Sequence, residues 1–345
     1  MSFLTIAQQA VHWSAETDFA AALAALAEHL LNRTDFMVAG QRHRLAEVEV
    51  YYTAPHHPDP FTHCDPRQRE FGRWYFHRSR GGYRGGSFQG LDLTLGDGTA
   101  YLGLLIRSLV TPAGTVIAGP SLVVDHLLAQ TQAGSVAKLD HNLSVHTITD
   151  RHSPLHLVAA VSPRTAPLYT TARVGLSLQR MTTWAPEFIG RPYRYLTEPA
   201  TIPKGKVQLV LALHRQGRTV ADIRALTGVS PTALTRYLAN YAIGQKAPSF
   251  DVYYGQALTT AQLCQLLGTW DAHFGSAAAS HSRSGHEVNS SPTNDLLSAP
   301  ATGNHGETAT IRESIAPVGF AGRFAKTSAF LLLGVPHHGR LCPPR

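Results

Sequence analysis

The first two hundred residues combine helical and strand-like patterns of apolar positions. Residues 18–32 (DFAAALAALAEHLLN) carry Ala and Leu at helical spacing, whereas residues 44–52 (RLAEVEVYY) alternate apolar and polar positions like a strand with one buried face. Apolar stretches separated by turn sequences predict three further strands and then a helix, at residues 91–95, 100–109, 114–119 and 121–130. The pattern predicts a mixed fold of helices and strands, in the α+β class, with an antiparallel core.

A second pattern begins at about residue 204. Three short segments separated by tight breaks carry apolar residues at helical spacing, at residues 207–217, 219–228 and 230–241. Thr219 and Ser230 are suited to N-caps, and Pro231 to the first helical position. We therefore expect two domains, at 1–203 and 204–274, of which the second is a small all-α domain.

The composition changes again at about residue 275. From there to residue 345, Ser, Ala, Gly, His, Asn and Pro predominate. Such a segment buries too little apolar surface to offset the entropy lost on ordering. The sequence predicts a disordered tail.

Two carboxylates share one face of the predicted strand at residues 44–52. Glu47, Glu49 and Tyr51 are separated by two positions each, and side chains alternate between the faces of a strand. The simplest interpretation is a solvated strand face. The alternative is a site that combines acidic and aromatic groups.

Short motifs follow Glu49 in a definite order. They are EVEVYY (47–52), His63, Pro66-Arg67-Gln68, GRWYFH (72–77), LIRSL (105–109), Gly119-Pro120-Ser121 and TARVGLSLQRMTTWAPEFIGRPYRYL (171–196). Taken in this order, over residues 20–200, they resemble the alkyladenine (3-methyladenine) DNA glycosylase family. The resemblance implies the methylpurine glycosylase fold for the first domain, with a mixed, mainly antiparallel, curved sheet and surrounding helices. It also implies double-stranded DNA with a damaged purine as the partner.

The resemblance also implies catalytic roles. Glu49 falls on the family's catalytic base, where a carboxylate orients and deprotonates water and stabilises an oxocarbenium-like transition state. Arg107 corresponds to a family arginine near the attacking water, where its charge would hold the carboxylate ionised. The competing interpretation of Arg107 is a structural ion pair or a phosphate contact.

Four residues are expected to bind the extruded base. Tyr51 and His77 fall on the family's two stacking positions, and His63 would contact the base edge or backbone. Asp92 stands where the family has an asparagine that helps to exclude guanine, so guanine lesions are expected to be tolerated. Core packing is the competing interpretation of each aromatic residue, and Tyr75 and Phe76 are better candidates for the core than for the site.

A glycine-rich stretch, HRSRGGYRGGSFQG (77–90), replaces the family's short hairpin. Tyr83 is the candidate to fill the stack that a flipped base vacates. The candidates for phosphate contacts in and before this stretch are Arg67, Arg73, Arg80 and Arg84, in keeping with a net charge of +7. A flexible loop without DNA contacts is the competing interpretation.

Residues 219–241 resemble a helix-turn-helix, with a supporting helix, a Gly-Val-Ser turn and a recognition helix. Ala221, Ile223 and Leu234 are among the positions expected to pack, while Thr232 and Arg236 are expected to contact a DNA groove. A helical hairpin for protein contacts is the alternative.

Other classes of protein are less well supported. His56, His57, His63 and Cys64 lie close in sequence, but no second close pair accompanies them, so we expect no metal and no other cofactor. Apolar runs are shorter than the roughly 18 residues of a membrane span. The N-terminal residues lack the pattern of a secretory signal, which predicts a location in the cytoplasm (nucleoid) or nucleus. We also expect a monomer.

The sequence leaves three functions open. The leading one is a monofunctional DNA glycosylase of base-excision repair, which hydrolyses the N-glycosidic bond of alkylated or deaminated purines and leaves an abasic site. The second is a catalytically inactive DNA-binding or regulatory protein on the same fold. A carbohydrate or nucleoside hydrolase that uses Glu47 and Glu49 is less favoured, because both carboxylates would serve one side of the bond.

Overall fold

A computed structural model describes residues 3–11, 19–179 and 183–282. Within these ranges the helices are α1 (Phe3–Val11), α2 (Phe19–Asn32), α3 (Pro120–Thr131), α4 (Val136–Leu143), α5 (Ala185–Phe188), α6 (Lys206–Arg215), α7 (Val220–Thr227), α8 (Pro231–Gly244) and α9 (Thr260–Ser282). Short 3-10 turns occupy Pro66–Arg69, Gly86–Phe88 and Asp251–Tyr253. Thr219 and Ser230 cap α7 and α8 through their side chains, and Pro231 opens α8, as predicted.

The strands are short apart from two long central ones. They are β1 (Thr34–Val38), β2 (Gln41–Ala54), β3 (His57–Pro58), β4 (Phe71–Phe76), β5 (Arg78–Ser79), β6 (Gly82–Tyr83), β7 (Leu91–Leu95), β8 (Tyr101–Val110), β9 (Val116–Ala118), β10 (Leu155–Ala159), β11 (Tyr169–Thr171) and β12 (Arg194–Leu196). The main sheet runs in the order β10, β1, β2, β8, β7, β4, and its pairs are antiparallel. The prediction of a mixed α+β fold with a mainly antiparallel sheet is confirmed.

The two faces of this sheet differ in chemistry. On one face Val50, Leu104, Leu93 and Trp74 lie opposite one another across four strands, within the main hydrophobic core that α2 and α3 help to form. The next row faces the other way, as the two-residue period of a strand requires. That second row consists of Glu49, Leu105, Asp92 and Tyr75.

The pairing of β2 with β8 is irregular beside Glu47. Leu45 pairs with Leu109, Glu47 with Ser108 and Val48 with Ile106, so Ala46 on β2 and Arg107 on β8 are each passed over. Such bulges bend a strand and change the direction of a side chain. Here they leave the apolar residues on the core face and bring Glu47, Arg107 and Ser108 together on the opposite face.

Helices α6, α7 and α8 share apolar contacts with the sheet. One cluster joins Ala46, Val110 and Leu196 of the sheet region to Leu209 and Ile223 of the helices. Residues on both sides of the predicted boundary at 203/204 fall within one compact unit. The shared core explains why: the apolar face of α6 packs against the sheet region and does not bury itself only among the other helices.

The structure differs from two expectations for the later part of the chain. Helix α9 continues to Ser282, past residue 275 where the tail was expected to begin, and residues 283–345 lie outside the described ranges. Ala221 is exposed, although it was expected to pack. Across the described ranges, the helices lack an apolar stretch long enough to cross a bilayer.

His57 gives the fold a testable pH dependence. Its ring packs against Phe188 and Phe19, and burial lowers its pKa from 6.5 to about 3. Below about pH 6.5 the unfolded chain binds a proton that the folded protein cannot accept, so the free energy of unfolding falls by up to about 1.4 kcal/mol per pH unit. We expect His57→Gln to make the slope shallower by the share of this ring in denaturation measured between about pH 7 and pH 4, while other histidines whose pKa values burial lowers keep their contributions.

The control for this prediction is His141→Gln, a change to an exposed histidine of α4. It should leave the pH dependence as in the wild type. Identical slopes for the wild type and His57→Gln would contradict the assignment of the slope to this ring.

Candidate functional site

Glu49 is held at the polar face of the sheet by three donors. Its carboxylate is 0% exposed. Oε2 accepts from the Tyr51 hydroxyl at 2.9 Å and from Arg107 Nη1 at 3.1 Å, and Oε1 accepts from the Val174 backbone N–H at 2.6 Å. Since a carboxylate offers about four acceptor positions, these contacts leave one position, on Oε1.

Glu47 and Glu49 share Arg107. Arg107 Nε donates to Glu47 Oε1 at 3.1 Å, and Glu47 also accepts from Arg194 Nε at 2.6 Å and from the Ser108 hydroxyl. Burial alone would raise the pKa of Glu47, but Arg194 and Arg107 outweigh it and lower the pKa below its usual value. Glu47 and Glu49 therefore lie on the same face of the strand, as predicted. The interpretation of that face as solvated is wrong, because both side chains are buried.

A second buried ion pair lies under Tyr51. Arg173 forms two bonds to Asp59, at 2.6 and 3.1 Å, and both side chains are completely buried. The Arg173 guanidinium lies 4.6 Å from the centre of the Tyr51 ring. Burial and the neighbouring Glu49 raise the pKa of Tyr51 well above its usual value, so its hydroxyl remains a donor to Glu49.

Asp92 is committed to internal contacts. It is 1% exposed, and its two oxygens accept from Gln68 Nε2 at 3.0 Å and bond His77 Nε2 at 2.7 Å. Gly103 makes room for this arrangement, because a Cβ there would come within 2.5 Å of Asp92 Oδ2. The expectation that Asp92 accepts a hydrogen bond from guanine is therefore not met in this arrangement: Asp92 instead orients His77.

The histidines expected to bind a base lie next to each other. The ring centres of His63 and His77 are 4.1 Å apart, and the Tyr75 hydroxyl lies 3.4 Å from His63 Nδ1. Tyr75 is buried, as expected, but it lies in the row of Glu49 and not in the main core, where Phe76 lies. Tyr51, His63 and His77 are each partly exposed.

Asp140 of α4 neutralises one arginine within the glycine-rich stretch and one before it. Asp140 accepts from Arg67, Arg78 and the Tyr83 hydroxyl, each at 2.7 Å. The Arg78 guanidinium also lies 4.5 Å from the centre of the Tyr83 ring. Tyr83 is therefore held by intramolecular contacts and does not project as a wedge, contrary to expectation.

The remaining residues of the glycine-rich stretch differ from Tyr83 in exposure. Arg80 is exposed, and Arg84 is partly exposed and donates through Nε to the Arg78 carbonyl. Arg73, before the stretch, donates to the His146 carbonyl at 2.8 Å. Phe88 is 72% exposed at the end of the 3-10 turn, and it is the large aromatic side chain that this stretch presents to solvent.

The candidates in α8 lie at its surface. Thr232 and Arg236 are both exposed, while Leu234 is buried against α6 and α7 residues. Ile223 of α7 is buried in the same cluster. The burial of Ile223 in α7 and Leu234 in α8, and the exposure of Thr232 and Arg236 in α8, follow the prediction for these four residues.

The described part of the chain was searched for groups of side chains that could hold a metal ion. Among residues 3–11, 19–179 and 183–282, no group of three or more His, Cys, Asp or Glu side chains is placed to hold a metal ion.

A cavity of about 650 Å³ lies beside β10, lined by His29, Thr34 and Ala159 among others. It does not include the residues around Glu49.

Several residues that build the site were not predicted as members of it. They are Asp59, Gln68, Asp140, Arg173, Val174 and Arg194. Arg173 and Val174 lie in the motif at residues 171–196, but the resemblance of that motif assigned no role to either residue. Asp59 had no signal, because its partner Arg173 is 114 residues away.

The comparisons with known proteins identify a relative. No family model matches the chain. The chain is 32% identical over 199 residues to the uncharacterized protein L759 of Acanthamoeba polyphaga mimivirus, and the match covers 53% of this chain and 89% of the viral protein. The chain therefore belongs to the same protein family as L759.

The Asp59–Arg173 pair should dominate the stability of the site. We expect Asp59→Asn to lower the free energy of unfolding by about 3–5 kcal/mol, because it leaves a buried guanidinium without its counter-ion. Chemical denaturation measures the change. The matched control is Glu28→Gln, which breaks a surface pair with Arg33 and should cost less than about 1 kcal/mol. Equal losses in the two variants would contradict the importance of burial.

Proposed function

We propose that this protein is a monofunctional DNA glycosylase that removes damaged purines from duplex DNA. The observation that carries the proposal is the placement of Glu49: a desolvated carboxylate held by Arg107, Tyr51 and a backbone N–H, with one acceptor position left and partly exposed aromatic rings on the same face of the sheet. The family resemblance of residues 20–200 supports the same activity.

The chemistry proposed for Glu49 is proton removal from water. The remaining acceptor position on Oε1 binds the water, and Arg107 holds the carboxylate in place through the hydrogen bond from Nη1 to Oε2. The water attacks the deoxyribose carbon as the purine leaves, and the carboxylate stabilises the positive charge that develops on the sugar. The groups in contact with Glu49 among the described residues include no amine, which favours water over a Schiff base.

The extruded base is proposed to bind beside Tyr51. Arg173 covers the Tyr51 ring at 4.6 Å and fixes its position, so a base stacking on the ring meets a rigid partner. His77, oriented by Asp92, and the adjacent His63 line the opposing side in this proposal.

The duplex is proposed to lie along the glycine-rich stretch. Arg80 and Arg84 are available to phosphates, whereas Arg67 is largely neutralised by Asp140. Phe88 takes the role first considered for Tyr83, because an exposed aromatic ring can occupy the space of the flipped base. Helices α7 and α8 are proposed as a helix-turn-helix that adds groove contacts through Thr232 and Arg236.

A second function is favoured by one observation. Glu49 is completely buried and already accepts three hydrogen bonds, as expected of a structural carboxylate. The second candidate is therefore a DNA-binding protein that does not excise bases. The two candidates share the proposed DNA-binding surface and differ in whether Glu49 meets water and sugar.

Base excision tests the two candidates directly. We expect the wild type to release hypoxanthine, ethenoadenine or a methylated purine from duplex oligonucleotides, detected as alkali-labile abasic sites. Glu49→Gln should lower the single-turnover rate by at least about 100-fold, because it removes the base that activates water. It should retain affinity for the same duplex.

The control is Glu28→Gln on the surface of α2, which should cleave like the wild type. Equal cleavage by the wild type and Glu49→Gln would exclude Glu49 as the base. Tight DNA binding without cleavage of any of these lesions by the wild type would favour the second candidate.

Phe88 provides a separate test of the DNA-binding surface. We expect Phe88→Ala to weaken binding to a lesion-containing duplex by about tenfold, since stacking on a base is worth about 1–3 kcal/mol. Tyr83→Phe should leave affinity unchanged. The control is Val161→Ala, which truncates an equally exposed apolar side chain, at 73%, outside the glycine-rich stretch. Fluorescence anisotropy measures all three, and equal losses for Phe88→Ala and Val161→Ala would contradict the assignment.

A further inference from the structure

The first turn of α6 reaches the supports of Glu49. Gly205 precedes α6 with a φ of 78°, and a Cβ at this position would lie 2.5 Å from Val174 Cγ2 and 2.7 Å from Arg194 Nη1. Only glycine allows the backbone to approach both side chains this closely. One residue of the helical segment thus touches two residues that act on the carboxylates of β2.

The first connection to Glu49 is direct. Val174 packs against Gly205 through its side chain, and its backbone N–H donates to Glu49 Oε1 at 2.6 Å. A displacement of Gly205 therefore moves Val174, which carries one of the three donors that orient the carboxylate.

The second connection passes through the other carboxylate. Arg194 donates through Nη2 to the Lys204 carbonyl at 3.0 Å and through Nη1 to the Gly205 carbonyl at 3.2 Å. Its Nε donates to Glu47 Oε1 at 2.6 Å, the oxygen that also accepts from Arg107. Arg194 and Glu47 are each 1% exposed, so water is not available to replace a lost contact.

We propose that Gly205 and Arg194 are positioning residues, through which the first turn of α6 sets the Val174 N–H and Arg107 against Glu49. The consequence for catalysis rests on the proposed glycosylase function, whereas the consequence for the Val174 hydrogen bond does not. The helical segment then has a role at the site in addition to any contact with DNA. Its attachment to the sheet determines whether Glu49 is oriented to accept a proton from the attacking water.

A matched pair of glycines tests the proposal. Gly205→Ala places a methyl group against Val174 and Arg194. Gly217→Ala is the control, because Gly217 follows the other end of α6 with a φ of 76°, and a Cβ added there would have no neighbouring atom within 4 Å. Both changes impose similar backbone strain, so only the contacts differ. The measurements are amide exchange of Val174 by NMR, single-turnover cleavage, and affinity for lesion DNA.

For Gly205→Ala we expect Val174 exchange to accelerate by about tenfold or more. Single-turnover cleavage should fall by a similar factor at unchanged DNA affinity. Gly217→Ala should change neither. Equal effects in the two variants, or none in Gly205→Ala, would overturn the proposal. If the wild type does not cleave DNA but Val174 exchange responds only to Gly205→Ala, the positioning role stands and the glycosylase function fails.

A second variant covers the case in which Gly205→Ala does not fold. Arg194→Lys keeps a positive charge opposite Glu47 but loses the fork that reaches the Lys204 and Gly205 carbonyls. We expect its single-turnover rate to fall by about tenfold at unchanged DNA affinity. Arg191→Lys, a change to the half-exposed Arg191–Glu187 pair, is the control and should retain the wild-type rate. Equal rates in Arg194→Lys and the wild type would contradict the role of Arg194.

Discussion

The site depends on the desolvated contact of Arg107 with two carboxylates. Taking Glu47, Glu49 and Arg107 out of water carries a large energetic cost, which ion pairing offsets only when each charge also has hydrogen-bonding partners. Arg194 and Ser108 meet that requirement for Glu47, and Tyr51 and Val174 meet it for Glu49. The surrounding segments are thereby held at defined positions, because displacing any of them exposes a buried charge without its partner.

The local features of the fold could be predicted from the sequence, because they depend on neighbouring residues. The two-residue period placed Glu47 and Glu49 on one face, and the capping side chains of Thr219 and Ser230 marked the starts of α7 and α8. The burial of that face could not be predicted, since its cover comes from distant segments such as Val174. Tyr83 was misjudged for the same reason: its hydroxyl is bound by Asp140, 57 residues later in the chain.

The polar face joins two regions that differ in how firmly they are built. Around Glu49 the contacts are completely buried and charged, which favours a fixed arrangement. Around His77 the rings are partly exposed, and the glycine-rich stretch beyond them carries few apolar anchors. In the glycosylase proposal, the buried charged contacts hold the reactive carboxylate in place, and the partly exposed rings receive the extruded base.

The irregular pairing of β2 with β8 also decides which side chains reach the polar face. The ladder passes over Ala46 and Arg107, while the pairs on either side of them remain in register. Removing Arg107 alone would therefore leave Glu47 opposite Ser108 and Val48 opposite Ile106, but it would take away the guanidinium that Glu47 and Glu49 share. The bulge is thus the backbone feature that lets β8 direct two consecutive polar residues, Arg107 and Ser108, to the same carboxylate.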